Sequence, residues 1–228
     1  MRRARRRHRP GAGRARRARG GQPVSALVRN HYVEARPDRR YGLGHAALRL
    51  GRGNHSNVEL RARALPHLRG LHHETWETVT LSVLVGRERV YVDQLVSPRE
   101  ITLSVELGRP FPLHAGASGR AILAFLPGDS RESVLSEPLE RLASHTVVDP
   151  ADLRELLEAV RATGIAVSRS ERHEGAAAIA APVFDSHGVT GAMGVCGPEF
   201  RFDEDSLLRW APLLKTAAAQ LSRELGWR

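Results

Sequence analysis

The chain has little cysteine and no long apolar run. Cys196 is the only cysteine among the 228 residues, so no internal disulfide can form, which is typical of proteins in a reducing compartment. No apolar stretch approaches the roughly 20 residues that a membrane-spanning helix needs, and the N-terminus lacks the apolar segment of a secretory signal. We therefore expect a cytoplasmic protein without a membrane partner.

Positive charge is in excess at only one end of the chain. Residues 1–40 contain 14 arginines and two acidic residues, a net charge of +12, whereas the remainder of the chain carries −2. An arginine-rich arm on a nearly neutral body favours an anionic partner such as nucleic acid for the arm. The alternative is a disordered tail, or an artefact of a wrongly assigned start codon or reading frame, because the arm has no apolar residues that could build a core.

The body of the chain alternates hairpin patterns with helical patterns. Strands are predicted over 78–85 and 89–96 around Gly86, over 101–105, and on both sides of "DSHG" (185–188). Helical spacing of apolar residues predicts helices over 43–50, 60–71 and 117–126, after Asp149-Pro150, and near the C-terminus with Pro212 in the first turns. Hairpins with helices between them favour an α+β domain with an antiparallel sheet.

Residues 24–43 predict a smaller unit before this body. Val24, Leu27 and Val28 are spaced for one short helical turn. "HYVEARPDRRYGLG" (31–44) then predicts two short strands around a turn at Pro37-Asp38, which is the outline of a β-wing.

The segment "RPFPLHAGASGRAILAFLP" (109–127) raises the question of catalysis. Ser118 does not complete the G-x-S-x-G pattern of a nucleophile elbow, because Arg120 occupies the last position, and His114 lies only four residues earlier in a predicted loop. The adjacent His72 and His73 point about 100° apart on a helix and cannot chelate one ion. We expect no catalytic residue, no metal site and no cofactor.

Two interpretations of the small residues at 115–119 remain open. Small side chains let the backbone approach a ligand, and free amides at the N-terminus of the next helix would attract a small carboxylate. The alternative is that these residues simply allow the helix to pack tightly against the sheet.

Four segments resemble the IclR family of bacterial transcriptional regulators. They are "RYGLGHAALRLG" (40–51), "PLHAGASGRAILAFLP" (112–127), the stretch 145–198 that includes "SERHEGAAAIAAPVF", and "LLRWAPLLKTAAAQLSRELG" (207–226). The resemblance runs from about Tyr41 to the end of the chain, in the family's order and spacing. It implies a GAF-like α+β effector-binding domain with an antiparallel sheet flanked by helices, which in the family follows a winged helix-turn-helix that binds operator DNA.

The resemblance also implies an effector pocket around "HAGASGRA" (114–121). Ala117 and Ser118 would offer backbone amides to the ligand, and the other implied lining positions are Leu103, Phe111, Ser168, Ala176, Ala178, Gly194 and Cys196. This lining is less polar than that of several family members, so it favours a larger or more apolar effector, either a carboxylate or an aromatic metabolite. For Cys196 we expect inert packing rather than redox sensing.

The same resemblance implies a division of the chain and a partner for each part. The parts are an arginine-rich arm (1–22), a winged-helix remnant (23–43), a linker helix (44–58) and the effector-binding domain (59–228). Because the wing begins at residue 32, about 31 residues precede it where a winged helix-turn-helix uses on the order of 45. The candidate contacts to operator DNA are Ser25, Arg29, Arg39 and Arg40.

Such regulators read two-fold operators, so we expect a homodimer or homotetramer. Two alternatives stay open from the sequence. One is a stand-alone metabolite-binding module that has lost specific DNA binding, and the other is an enzyme that uses Ser118.

Overall fold

A computed structural model of the chain describes residues 22–36, 38, 40–46 and 55–228. The chain divides into two compact units, with the boundary between His55 and Ser56. The arginine-rich arm up to residue 21, Pro37 in the predicted wing turn, Arg39, and most of the predicted linker helix (47–54) lie outside the described residues.

The first unit contains one helix followed by a two-stranded sheet. Helix α1 (Gln22–Arg29) is longer than the single turn that we predicted. Asn30 follows it and donates both its amide and its side-chain Nδ2 to the Ala26 carbonyl, at 3.1 and 2.9 Å. Strands β1 (Val33–Ala35) and β2 (Tyr41–Leu43) pair antiparallel, so the two predicted strands are present.

The second unit is built on a six-stranded antiparallel sheet in the order β5-β4-β3-β8-β7-β6. The strands are β3 (Thr78–Val85), β4 (Glu88–Leu95), β5 (Pro110–Pro112), β6 (Ala166–Arg169), β7 (Ala176–Asp185) and β8 (Gly188–Pro198). The helices are α2 (His55–Thr75), α3 (Ala117–Leu123), α4 (Gly128–Leu135), α5 (Pro150–Thr163) and α6 (Glu204–Glu224), with a 3₁₀ turn at Glu199–Arg201. The α+β class and both long hairpins are confirmed.

The long helices α2 and α6 cover one face of the sheet. Alternate residues of β3, β7 and β8 point to this face and pack with the apolar stripes of both helices, because side chains alternate along a strand. The fully buried members of this cluster include Leu68, Leu81, Ile179, Val195 and Leu214.

The opposite face, which we call the inner face, is covered in part by α3 and α5. Leu113, Ile122 and Leu157 pack there against small residues of β7 and β8. Helix α5 begins as predicted, since the Asp149 carboxylate accepts from the amides of Ala151 and Asp152 at 2.7 and 3.2 Å.

Several predicted elements are wrong in detail. No strand forms over 101–105: the side-chain amide of Gln94 exchanges two hydrogen bonds with the Val105 backbone, and Thr78 Oγ1 donates to the Leu103 carbonyl. Pro212 lies in the interior of α6 rather than in its first turns. Helix α2 begins at His55 rather than at residue 60, and α3 ends at Leu123 rather than at 126.

Gly119 gives a test of how closely α3 packs. A Cβ atom there would lie 2.4 Å from the Leu113 carbonyl oxygen, so Gly119→Ala should lower the free energy of unfolding by about 1–3 kcal/mol in a urea titration. Gly70, within α2, is the matched control, because its Cβ would meet no atom within 4 Å and Gly70→Ala should be stabilising by roughly 0.5–1 kcal/mol. Equal stability of the two variants would contradict the close packing.

Candidate functional site

The register of the sheet brings together three of the nine residues predicted to line the pocket. Ser168 on β6 pairs with Ala178 on β7, and Ala178 pairs with Cys196 on β8. Cys196 pairs in turn with Thr78 on β3. Since paired residues point to the same side of a sheet, these side chains form a row across four strands, on the face opposite to the α2 and α6 cluster.

Gly194 lets α3 approach this row. A Cβ atom at Gly194 would lie 3.1 Å from both Ser118 Oγ and Thr80 Oγ1. Ala117 and Ser118 are buried at this contact, whereas Ala176 is only partly buried at the end of β7. Gly119 therefore permits close approach of α3 to the Leu113 backbone, and Gly194 permits close approach of α3 to the sheet.

The backbone amide immediately before α3 donates a hydrogen bond to a side chain of the protein. Gly116, with a φ of 83°, donates its amide to Glu171 Oε2 at 3.0 Å, and the same oxygen accepts from Nη1 of the buried Arg120. The carboxylate of Glu171 therefore lies at the N-cap of α3. The ligand contacts expected from the Ala117 and Ser118 amides stay predictions.

The loop that carries Glu171 is held at several points. Ser170, which has a φ of 49°, donates its hydroxyl to Glu199 Oε2 at 2.7 Å and accepts from the Gly175 amide at 2.9 Å. Thr146 Oγ1 donates to the Glu171 carbonyl at 2.6 Å. These contacts give the loop a defined path over residues 170–175, and Arg172 lies within it.

Phe111 and Leu103 lie at the β5 side of the inner face. Phe111 pairs with Arg89 on β4, and its ring lies edge-on to Tyr91 with 5.8 Å between ring centroids. Leu103 is partly buried, and its carbonyl accepts the hydroxyl of Thr78, which belongs to the row described above.

Sequence reasoning missed the arginine that is most deeply buried beside these residues. Arg89 is fully buried, and its Nε and Nη1 atoms have no hydrogen-bond partner within the described part of the chain. Nη2 donates to the Ala115 carbonyl at 3.5 Å, which is a weak contact. The guanidinium carbon lies 4.6 Å from the ring centroid of Tyr91 and 5.4 Å from that of Phe111.

A second arginine, from the loop 170–175, lies against the same aromatic rings. The guanidinium carbon of Arg172 is 4.0 Å from the Phe111 centroid, and its Nη1 donates to the Tyr91 hydroxyl at 3.0 Å. Burial lowers the pKa of Arg172; the nearby Tyr91 opposes this effect, and the positive charge of Arg89 adds to it. We call Arg89, Arg172, Tyr91 and Phe111 the guanidinium pair and its aromatic platform.

The guanidinium pair differs from the other buried arginine of the inner face. Arg120 binds the Glu171 carboxylate and also donates to the Val167 carbonyl. Among the ion pairs that the described residues form, none includes Arg89 or Arg172. A sequence signal exists for Arg89, although not for Arg172. Arg89 and Tyr91 alternate with the core residues Val90 and Val92, and they therefore point to the inner face.

The Nε2 atom of His114 does not act as a base for Ser118 in the described geometry. His114 Nε2 lies 2.9 Å from the Glu140 carbonyl oxygen, and it must donate there because a carbonyl only accepts. That ring nitrogen is therefore not available to take a proton from a serine hydroxyl.

The candidate DNA contacts in the first unit are exposed where they are described. Ser25 and Arg29 are four residues apart on α1, so they share one helix face. Arg40 follows the wing turn with its Nε 3.8 Å from Asp38 Oδ2. Arg39 lies outside the described residues.

Cys196 has the chemistry of an unreactive thiol. It lies in the central row of the inner face, and burial raises the pKa of its thiol from 9.0 to about 12, although the positive charges of Arg172 and Arg89 act in the opposite direction. The thiol is protonated at neutral pH, which agrees with the expectation of inert packing.

The rate of alkylation measures the reactivity of the Cys196 thiol. At pH 8, a rise in pKa from 9.0 to about 12 lowers the thiolate fraction about a thousandfold, and the higher nucleophilicity of the rarer thiolate recovers only part of that loss. Iodoacetamide should therefore modify folded Cys196 at least about 30-fold more slowly than the same cysteine in urea-unfolded protein. Equal rates in the two states would show that Cys196 is an accessible, ordinary thiol.

No helix in the described ranges combines the length and the apolar character needed to cross a bilayer.

Comparison with known proteins identifies a family for this chain. The sequence model of the family described as "Bacterial transcriptional regulator IclR C-terminal" matches residues 54–223. The HTH-type transcriptional regulator KipR of Bacillus subtilis is 33% identical over 206 residues, which cover 90% of this chain and 82% of KipR.

Two solved structures have the same fold. IclR of Thermotoga maritima superimposes with a TM-score of 0.76 at 29% identity, covering 90% of this chain and 84% of that one. An IclR homologue of Microbacterium hydrocarbonoxydans, complexed with 4-hydroxybenzoate, superimposes with a TM-score of 0.79 at 26% identity, covering 91% and 85% of the two chains. With its α+β sensor fold, its inner-face row and a family match over most of its length, the chain belongs to the IclR family of transcriptional regulators.

Proposed function

We propose that this IclR-family regulator binds its effector on the inner face of the sheet, beside the start of α3, and that the bound effector controls its contact with operator DNA. The observation that carries this proposal is the row of Ser168, Ala178, Cys196 and Thr78 on adjacent strands. Leu103, Phe111, Ala117, Ser118, Ala176 and Gly194 complete the proposed lining.

The lining sets the kind of effector that fits. Its side chains are small or apolar apart from single hydroxyl groups, so the body of the effector is apolar. The homologue that binds 4-hydroxybenzoate supports an aromatic or carboxylate-bearing metabolite for this chain as well. Ser118 has no catalytic role in this proposal, because His114 is engaged elsewhere and the relatives are named as regulators.

Control of DNA binding requires that the effector prefer one arrangement of the assembled protein. The bias equals the difference in effector affinity between two arrangements, typically about 1–3 kcal/mol. The effector-binding domain (59–228) transmits it through the linker (44–58) to the winged-helix part (23–43) in a cytoplasmic homodimer or homotetramer. Ser25, Arg29, Arg39 and Arg40 contact the operator, and the arginine-rich arm (1–22) adds phosphate contacts without sequence preference.

The DNA contacts can be tested by gel shift with a fragment of the regulator's own promoter at two salt concentrations. Arg29→Gln should weaken specific binding about tenfold, because a side chain on the exposed face of α1 loses its charged donors. The matched control is Arg87→Gln, since Arg87 is an exposed arginine that pairs with Glu137 in the second unit. Binding that is equally strong for both variants and insensitive to competitor sequence would favour the stand-alone metabolite-binding module.

The position of the effector site can be tested by filling it. Ala178→Leu adds bulk in the centre of the row and should weaken binding of 4-hydroxybenzoate at least tenfold in calorimetry, or abolish it. Val167→Leu is the control, because Val167 is 39% exposed and its neighbour Ser168, rather than Val167 itself, points to the inner face. If Ala178→Leu binds the acid as the unmodified protein does, the effector site is not on this face.

A further inference from the structure

Two buried arginines without a carboxylate are an unfavourable arrangement in a ligand-free protein. Taking a guanidinium out of water is costly unless it is paired, and two like charges at short range repel each other in a medium of low dielectric constant. Arg89 is fully buried with two unpartnered nitrogen atoms, and Arg172 is partly buried on the same two rings. The aromatic platform offsets part of this cost through cation–π contacts, but it supplies no negative charge.

The pair lies at the edge of the proposed effector site. A Cβ atom at Gly116, the residue before Ala117, would be 2.9 Å from Arg172 Cδ and 3.6 Å from Arg89 Nη2. On the other side, the charges of both arginines act on the thiol of Cys196 in the central row. The guanidinium pair therefore lies beside the turn that precedes α3.

We infer that the guanidinium pair of Arg89 and Arg172 is the receptor for the carboxylate of an organic acid effector, whose apolar body lies over the row of small residues. The inference rests on the proposed effector site and adds the residues that select its charged head group. A carboxylate neutralises the repulsion between the two cations, and guanidinium groups match its planar geometry. Arg172 is the more exposed member of the pair and contacts the carboxylate directly. Arg89 is fully buried and contributes the second positive charge.

Arg120 differs from the guanidinium pair because it is buried against a carboxylate. That side chain is also buried, but its charge is matched by Glu171, so it serves the fold. Removing the charge of Arg120 leaves a buried carboxylate unpaired, whereas removing the charge of Arg172 relieves a repulsion. The two substitutions therefore have opposite effects on the ligand-free protein, and this difference separates a binding role from a structural one.

The first measurement compares thermal unfolding of the full-length variants without ligand. Arg172→Gln should unfold at the same temperature as the unmodified protein or at a higher one, and Arg120→Gln at a clearly lower one. Arg89→Gln is a second test of the pair, and it should lose no more than a small part of the stability that Arg120→Gln loses. A large drop for Arg172→Gln, comparable with that of Arg120→Gln, would overturn the inference, because Arg172 would then be a structural residue.

The second measurement adds anions at constant ionic strength. Benzoate and 4-hydroxybenzoate should raise the unfolding temperature of the unmodified protein above its value in chloride, and the neutral benzamide and inorganic phosphate should do so less. Arg172→Gln should bind the carboxylates at least tenfold more weakly and lose the preference for benzoate over benzamide. No stabilisation by either acid, equal stabilisation by phosphate, or an unchanged preference in Arg172→Gln would each overturn the carboxylate receptor.

Comparison with the Ala178→Leu variant separates this inference from the proposed site. If Ala178→Leu abolishes binding while Arg172→Gln binds normally, the effector lies on the inner face but the guanidinium pair is not its receptor. If both variants bind normally, the proposed effector site is wrong as well. Loss of carboxylate binding in both, with normal folding of Arg172→Gln, is the result that we expect.

Discussion

One buried carboxylate, that of Glu171, determines how the two segments around the candidate site are placed. The carboxylate accepts hydrogen bonds from the Gly116 amide in the turn before α3 and from the guanidinium of Arg120 within α3. The backbone carbonyl of Glu171 accepts from the Thr146 hydroxyl. A carboxylate buried without these donors would be strongly unfavourable, so α3 and the loop 170–175 are positioned together. The position of Arg172, the next residue in the chain, follows from this interaction.

The inner face therefore contains two kinds of buried cation with different purposes. The charge of Arg120 is matched by the Glu171 carboxylate. Arg89 and Arg172 have aromatic contacts and weak or neutral hydrogen-bond acceptors instead. Natural proteins retain such locally unfavourable groups chiefly where function needs them. The contrast between matched and unmatched arginines is the feature that distinguishes this sensor from a merely well-packed domain.

The architecture was largely predictable from the sequence, and the electrostatics of the site were not. The hairpins and α5 follow from alternation and from the Asp149 cap, which are local signals. The strand expected over 101–105 fails because the side chains of Gln94 and Thr78 bind that backbone. The hydrogen bond from the Gly116 amide to Glu171 has no local sequence signal, because the two residues are 55 positions apart.

Arg89 was missed for a different physical reason. In the segment "RVYVDQLV", an arginine that alternates with valines normally marks the solvent side of a strand. Here Phe111 on β5 and the turn at Ala115 and Gly116 lie against that side. By contrast, the predicted row of Ser168, Ala178 and Cys196 was found through family resemblance, and the strand register places the three side by side.

The pairing of β3 with β8 has a consequence for the life of the protein in the cell. Thr80 and Gly194, which lie side by side there, are 114 residues apart in the chain. The strands on both sides of this pairing are therefore synthesised at different times, and they can pair only after β8 has left the ribosome. The first unit leaves the ribosome well before that point. The effector site that we propose on the inner face can therefore form only once the chain has been synthesised through β8.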